Sequence, residues 1–136
     1  LQQTNWKGMP IIVDGAHNPQ AANQLSIERT KWKNEESGVI WIIGIQKQKD
    51  IINILNNLIK ENDLIWIVPV PNQTSWSKNQ ILSLCPQYSR KIKEASCVEE
   101  VLLLLGKQKK WPSPSPVITG SLYLIGDLFQ KGLIES

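Results

Sequence analysis

Cysteine, long apolar runs and a surplus of one charge are all scarce in this sequence, and each scarcity excludes a class of protein. The two cysteines among 136 residues, Cys85 and Cys97, match neither a metal-binding spacing nor a disulfide framework, as is usual in a reducing compartment. The apolar run at 101–105 is far shorter than the roughly 20 residues of a membrane-spanning helix. A net charge of +3 is too small and too scattered for a nucleic-acid-binding surface. We therefore expect a cytoplasmic protein that binds neither membrane nor nucleic acid.

The two commonest phosphate-binding fingerprints are missing as well. The sequence has no G-x-G-x-x-G and no Walker A motif. Both motifs use glycine backbone and a helix N-terminus to hold phosphates. A domain that binds a dinucleotide or a nucleoside triphosphate by itself is therefore not expected.

The length fits one domain with a proper core. The chain begins at Leu1 and not at methionine, which suggests a piece of a longer protein. Residues 1–9 are mainly polar, with Gly8 and Pro10 as breakers, and we interpret them as the remnant of an interdomain linker. Residues 10–136 would then form the domain.

Short strands that are apolar on both faces alternate with helical segments along the chain. This pattern predicts an α/β fold: a Rossmann-like, mostly parallel sheet of about five to six strands with helices on both faces. The strands are predicted at 10–13, 39–43, 64–68 and 117–119, with a weaker one at 88–92. The helices are predicted at 19–32, 50–60, 77–85, 97–105 and 122–129.

Three turns that follow predicted strands carry polar residues, and parallel strands bring such turns to one edge of the sheet. In the first turn, Asp14 can accept hydrogen bonds from a ribose or hold a metal-bound water. His17 lies beside the predicted N-cap Asn18 and N1 Pro19, where free N–H groups of the helix attract a phosphate or a carboxylate. The alternative is local, with Asp14 capping the turn and His17 filling a gap.

The other two turns contribute Lys49 and Ser121. A lysine just before a helix start is unfavourably placed for the helix dipole, which suggests an anionic ligand, although most lysines are simply exposed. Ser121 either caps the final helix or binds an anion at its N-terminus.

Residues 14–19 (DGAHNP), 44–50 and 119–126 (TGSLYLIG) occur in an order and at a spacing that resemble a known family. This is the C-terminal domain of folylpolyglutamate synthase / dihydrofolate synthase, a branch of the Mur ligases, and the resemblance covers essentially the whole chain. One departure is the loop at 71–73, which reads Pro-Asn-Gln where the family often has an arginine after proline.

The resemblance implies part of an ATP-dependent ligase that joins L-glutamate to folate or dihydropteroate through an acyl phosphate. It implies that Asp14 and His17 contact ATP, with His17 the candidate catalytic residue, and that Lys49 and Ser121 bind L-glutamate. The P-loop and the Mg²⁺ ligands would belong to an N-terminal ATPase domain, so this chain should hold no metal and be inactive by itself. A monomer is expected.

An alternative from another class is a non-catalytic α/β module that binds a small anion or a nucleotide through the same turn. A receiver-like or flavodoxin-like domain is a weaker rival, because Asp14 has no acidic neighbours. The sequence leaves open whether a ligase would act on dihydropteroate, on folate or on both.

Overall fold

The computed structural model describes residues 1–135 as one six-stranded sheet between two layers of helices. The strands are β1 (Gln2–Trp6), β2 (Met9–Asp14), β3 (Ile40–Ile43), β4 (Leu64–Ile67), β5 (Ile92–Glu94) and β6 (Val117–Thr119). The helices are α1 (Pro19–Arg29), α2 (Ile51–Leu58), α3 (Lys78–Leu84), α4 (Val98–Gly106) and α5 (Leu122–Gln130). The strand order is β1-β2-β6-β3-β4-β5. All neighbours are parallel except β1 and β2.

Alternate residues of the central strands enter two separate cores, which confirms the α/β class and the helices on both faces. Trp41 and Ile43 of β3 pack into the core beneath α1, α2 and α3. Ile42 faces the other way, into the core beneath α4 and α5. This is why a strand in the middle of such a sheet is apolar throughout.

Residues 1–9 are not a linker in the structure, so that expectation is wrong for this segment. β1 pairs with β2 along its whole length. Thr4 and Trp6 point inward and are buried, whereas Gln3 and Asn5 are exposed, which is the period-two pattern of an edge strand. The turn uses Lys7 and Gly8 with φ of 49° and 80°, as a tight hairpin requires. The polarity of the other side chains conceals this strand in the sequence.

The weak strand predicted at 88–92 is also misplaced. Pro86–Tyr88 forms a 3₁₀ turn, and β5 starts only at Ile92. Pro86 has no N–H and a fixed φ, which suits the first position of a helical turn. Tyr88 is then buried, and its hydroxyl donates to Oδ1 of Asn56 at 2.7 Å.

The remaining helices and strands start within two residues of their predicted positions, although α1 ends earlier, at Arg29. The predicted domain at 10–136 extends to Ser136, which lies outside the described residues. No helix in residues 1–135 combines the length and the apolar character that crossing a membrane would need.

Candidate functional site

The carboxyl ends of three neighbouring parallel strands form one row across the sheet. Asp14 at the end of β2 pairs with Thr119 of β6, and Thr119 pairs in turn with Ile43 of β3. Adjacent strands are about 4.8 Å apart, so the turns that follow these residues start within two strand spacings of each other. The structure therefore brings the three predicted turns to one edge.

Close packing at glycines holds the turns together. A Cβ on Gly15 would lie 2.3 Å from Cδ2 of Leu122, so the first residue of α5 covers the turn after β2. A Cβ on Gly120 would lie 2.5 Å from the carbonyl oxygen of Gly44. The φ of Gly120 is +110°, which side-chain-bearing residues rarely adopt. Glycine at 120 is thus required both by the backbone conformation and by the contact.

We expect Gly120→Ala to destabilise the chain by about 2–4 kcal/mol, because backbone strain and a clash with a carbonyl add together. The midpoint temperature should fall by roughly 10 °C in thermal unfolding. Gly126→Ala is the matched control, since a Cβ at Gly126 within α5 would meet no atom within 4 Å. This second change should stabilise by about 0.5–1 kcal/mol, the usual gain of alanine over glycine in a helix. Equal effects of the two substitutions would contradict the role given to Gly120.

Asp14 and His17 lie on the same turn and are both partly exposed. Oδ1 of Asp14 accepts from the N–H of Ala16 at 2.9 Å, and Oδ2 lies 3.1 Å from the nitrogen of Leu1. Nδ1 of His17 lies 2.8 Å from the carbonyl oxygen of Gly15. A carbonyl can only accept, so Nδ1 carries the proton, and in the neutral ring Nε2 is an acceptor. The turn thus fixes the ring and leaves Nε2 for a ligand.

The N-terminus of α1 offers less to an anion than the sequence suggests. Asn18 is the N-cap and Pro19 starts the helix, as predicted. Oδ1 of Asn18 accepts from the N–H of Ala21 at 2.8 Å, and the N–H of Ala22 bonds to the carbonyl of Asn18. Since Pro19 has no N–H, only the N–H groups of Asn18 and Gln20 are left without a partner at this helix end, among the residues that the structure describes. An anion would have to be held mainly by side chains.

Lys49 lies one residue before Asp50, the N-cap of α2, and is partly exposed. Within residues 1–135 its Nζ makes no ion pair and no hydrogen bond. Its backbone, by contrast, is fixed: Nε1 of Trp76 donates to the carbonyl of Lys49 at 3.3 Å. The N–H of Trp76 also donates to the carbonyl of Ile45 at 3.0 Å. This anchoring role of Trp76 is not predicted from the sequence, where its only signal is an aromatic residue within a polar loop.

Ser121 is buried and acts as the N-cap of α5. Its Oγ accepts from the N–H groups of Tyr123 and Leu124 at 3.1 and 3.3 Å. Both bonds use the oxygen as acceptor, so neither of them uses the hydroxyl proton. The capping alternative is therefore realised, and any ligand contact would be additional to it.

Asp14, His17 and Lys49 lie at the surface, whereas Ser121 is buried. Two cavities, of about 390 and 550 Å³, are found further along the sheet beside Pro69, and none of the four predicted site residues lines either of them. Among residues 1–135, no group of three or more His, Cys, Asp or Glu side chains is arranged to hold a metal ion.

Comparison with known proteins gives the same family in sequence and fold. The sequence model of "Dihydrofolate synthetase, C-terminal domain" matches residues 1–131. A probable dihydrofolate synthetase of Schizosaccharomyces pombe is 26% identical over 153 residues, which cover 96% of this chain and 35% of that protein. A folylpolyglutamate synthase of Thermotoga maritima has a TM-score of 0.73 at 22% identity, over 98% of this chain and 31% of its own.

The Mycobacterium tuberculosis folylpolyglutamate synthase, solved with ADP and AMPPCP, has a TM-score of 0.75 at 16% identity and matches 96% of this chain and 31% of its own. At these identities, the structural likeness shows the fold alone. The chain thus spans about a third of the length of its relatives. Because the family model covers nearly all of the sequence, the chain belongs to the dihydrofolate synthetase C-terminal domain family.

Proposed function

We propose that this chain works as the C-terminal domain of an ATP-dependent ligase that joins L-glutamate to dihydropteroate or a folate. The observation that carries the proposal is that the turns bearing Asp14, His17, Lys49 and Ser121 follow three neighbouring strands at one edge of the sheet, within a chain of this family. We call the longer protein that would contain the chain the whole ligase. The names of the relatives support both substrates, and ADP and AMPPCP bound to one structural neighbour support a nucleotide.

In the proposed site, the first turn contacts ATP. The carboxylate of Asp14 is anchored through Oδ1 to the backbone of its own turn, so it can accept a ribose hydroxyl without first being ordered. His17 presents Nε2 from a ring held at Nδ1. Its placement suits either positioning of the nucleotide or transfer of a proton, which makes it the candidate catalytic residue. Preordered groups bind with a smaller loss of conformational entropy.

L-Glutamate would be held at the next two turns. Lys49 offers an ammonium to a carboxylate of the amino acid, which explains a cation placed beside a helix N-terminus. The N-cap Asp50 is itself an anion at that helix end, so the lysine also offsets the repulsion between Asp50 and a bound carboxylate. Ser121 would add one hydrogen bond through its remaining proton.

The phosphate transfer itself requires groups that this edge does not supply. When bound, Mg²⁺ neutralises charge that develops on the transferred phosphoryl group, and its ligands would come from the N-terminal ATPase domain. The residues of this chain orient the nucleotide and the incoming amine. An open, half-built site suits such a division, because closure of two domains can then exclude water from the reaction.

The whole ligase should convert ATP continuously to ADP and phosphate only when ATP, L-glutamate and an acceptor are all present. Dihydropteroate and tetrahydrofolate should be assayed separately, which decides between the two substrates. The 136-residue chain alone should show no turnover and only weak binding of AMPPCP or L-glutamate.

Turnover by the isolated chain would contradict the proposed division between domains. If the whole protein binds AMPPCP but forms no amide with either acceptor, the non-catalytic nucleotide-binding module becomes the better description.

A further inference from the structure

Thr119 has a buried hydroxyl that the fold does not use. The residue is completely buried, and Oγ1 has no hydrogen-bond partner among the residues that the structure describes. A buried hydroxyl without a partner destabilises the folded state, and such groups are rare in native proteins. Valine would fill the same space without that cost, so the hydroxyl requires an explanation.

The position of Thr119 connects it to Asp14. The two residues are register partners on adjacent parallel strands. Val117 and Ile12, two residues earlier on their respective strands, both pack into the core beneath α1 and α2. Because side chains alternate along a strand, Thr119 and Asp14 face this same side of the sheet. The two side chains therefore start from paired positions on the same face, and no hydrogen bond joins them among the described residues.

A threonine hydroxyl commonly caps a nearby helix or turn, but the nearby helix ends and the turn are already capped by other side chains. Ser121 caps α5, and Asn18 caps α1. The carboxylate of Asp14 closes its own turn with Oδ1. Within residues 1–135 the hydroxyl of Thr119 thus has no local structural role. The carboxylate of Asp14, whose Oδ2 lies 3.1 Å from the nitrogen of Leu1, is on the adjacent strand.

We propose that Thr119 is a positioning residue for Asp14. In the nucleotide-bound state, the hydroxyl of Thr119 donates a hydrogen bond to the carboxylate of Asp14. This bond orients the carboxylate oxygen that accepts a hydrogen bond from a ribose hydroxyl. In the free protein this bond is not made, so the unpaired hydroxyl lowers the stability of the folded state but is already in position to donate when the nucleotide binds. The inference rests on the proposed role of Asp14 in binding ATP.

Thr119→Val removes the hydroxyl at nearly constant volume, and Thr119→Ser keeps it. In the 136-residue chain, the valine variant should unfold at the same or a higher temperature than the wild type. In the whole ligase, it should raise KM for ATP and Kd for AMPPCP about tenfold, as expected for the loss of one hydrogen bond to a charged group. KM for L-glutamate should stay within about twofold of the wild-type value. Thr119→Ser should keep the wild-type affinity for the nucleotide.

A double-mutant cycle with Asp14→Asn tests whether the effect passes through Asp14. If it does, Thr119→Val should weaken AMPPCP binding about tenfold in the wild type but less than twofold in the Asp14→Asn background. Full additivity would overturn the positioning role, as would a clear loss of stability in Thr119→Val, because the hydroxyl would then be bonded in the free protein.

Failure of the inference is distinguishable from failure of the proposed function. A wild type that forms no amide contradicts the ligase proposal, and calorimetry with AMPPCP still reports on Thr119. An active wild type whose AMPPCP affinity is unchanged by Thr119→Val contradicts the inference alone.

Discussion

Replacing Lys49 with methionine in the whole ligase is expected to raise KM for L-glutamate by about 100-fold. Methionine retains the apolar stem of the side chain but removes its charge. A hydrogen bond between charged groups contributes about 1.5–3 kcal/mol, and 1.4 kcal/mol corresponds to a factor of ten. In the proposed site the lysine also offsets the repulsion between the carboxylate of Asp50 and a carboxylate of L-glutamate, and Lys49→Met leaves this repulsion uncompensated. KM for ATP should change less than threefold, as measured by initial rates with each substrate varied in turn.

Lys33→Met is the matched control for this experiment. Lys33 is exposed and follows α1 on the opposite edge of the sheet, so the same change of charge should leave both KM values within about twofold. Adding salt should raise KM for L-glutamate in the wild type and scarcely in Lys49→Met, because screening acts on the ion pair. If Lys49→Met raises KM for ATP instead, Lys49 belongs to the nucleotide half of the site.

Those parts of the fold that rest on local patterns could be predicted from the sequence. The doubly apolar strand at 39–43 identifies a central strand, because each of its faces meets a helical layer. The start of α1 follows from Asn18 and Pro19, which satisfy the helix terminus through their own chemistry. The common edge of the three turns then follows from the parallel arrangement alone.

Features that depend on distant partners could not be predicted in this way. β1 has polar side chains on its outer face, and it is recognisable as a strand only once β2 is available to pair with it. The role of Trp76 depends on a hydrogen bond to a residue 27 positions away. The hydroxyl of Thr119 is unpaired because the neighbouring residues form their hydrogen bonds with other partners. None of these relations leaves a periodic signal in the sequence.

The buried ion pair of Arg29 and Asp63 is the clearest example. Both side chains are at most 1% exposed, although charged residues are exposed by default. Nη2 of Arg29 donates to Oδ1 of Asp63 at 2.9 Å, and Nη1 donates to Oδ2. Asp63 accepts three further bonds, at 2.8–2.9 Å, from the N–H groups of Val39 and Lys60 and from the indole of Trp41.

This carboxylate joins the N-terminal ends of β3 and β4, at the edge opposite the candidate site. Val39 precedes β3, and Asp63 precedes β4. Asp63→Asn replaces one carboxylate oxygen, which accepts hydrogen bonds, with an NH₂ group, which can only donate them. The NH₂ would then face the N–H groups that this oxygen binds in the wild type. We expect a loss of about 3–5 kcal/mol, as for other broken buried ion pairs. Urea denaturation of the 136-residue chain measures it.

Glu28→Gln is the control, because it makes the same chemical change in a surface ion pair. The pair of Glu28 and Lys31 has side chains 44% and 69% exposed, and such pairs contribute about 0–1 kcal/mol. The whole ligase carrying Asp63→Asn should keep its KM values, since the site lies at the other edge. Comparable losses in the two variants would show that the buried carboxylate has no special role.

The pH dependence of stability provides a separate test of Asp63. Burial alone raises the pKa of this carboxyl, but the guanidinium of Arg29 and the other donors outweigh burial, so the net pKa lies below its ordinary value. A carboxyl with a lowered pKa in the folded state contributes stability above its unfolded pKa of about 3.9, and the contribution disappears as the pH falls through the folded pKa. Between pH 5 and 2, the wild type should therefore lose more stability than Asp63→Asn. A hydrogen bond from Lys60 also lowers the pKa of Glu35, so the variant should retain part of the acid sensitivity, and equal slopes in both proteins would contradict the assignment to Asp63.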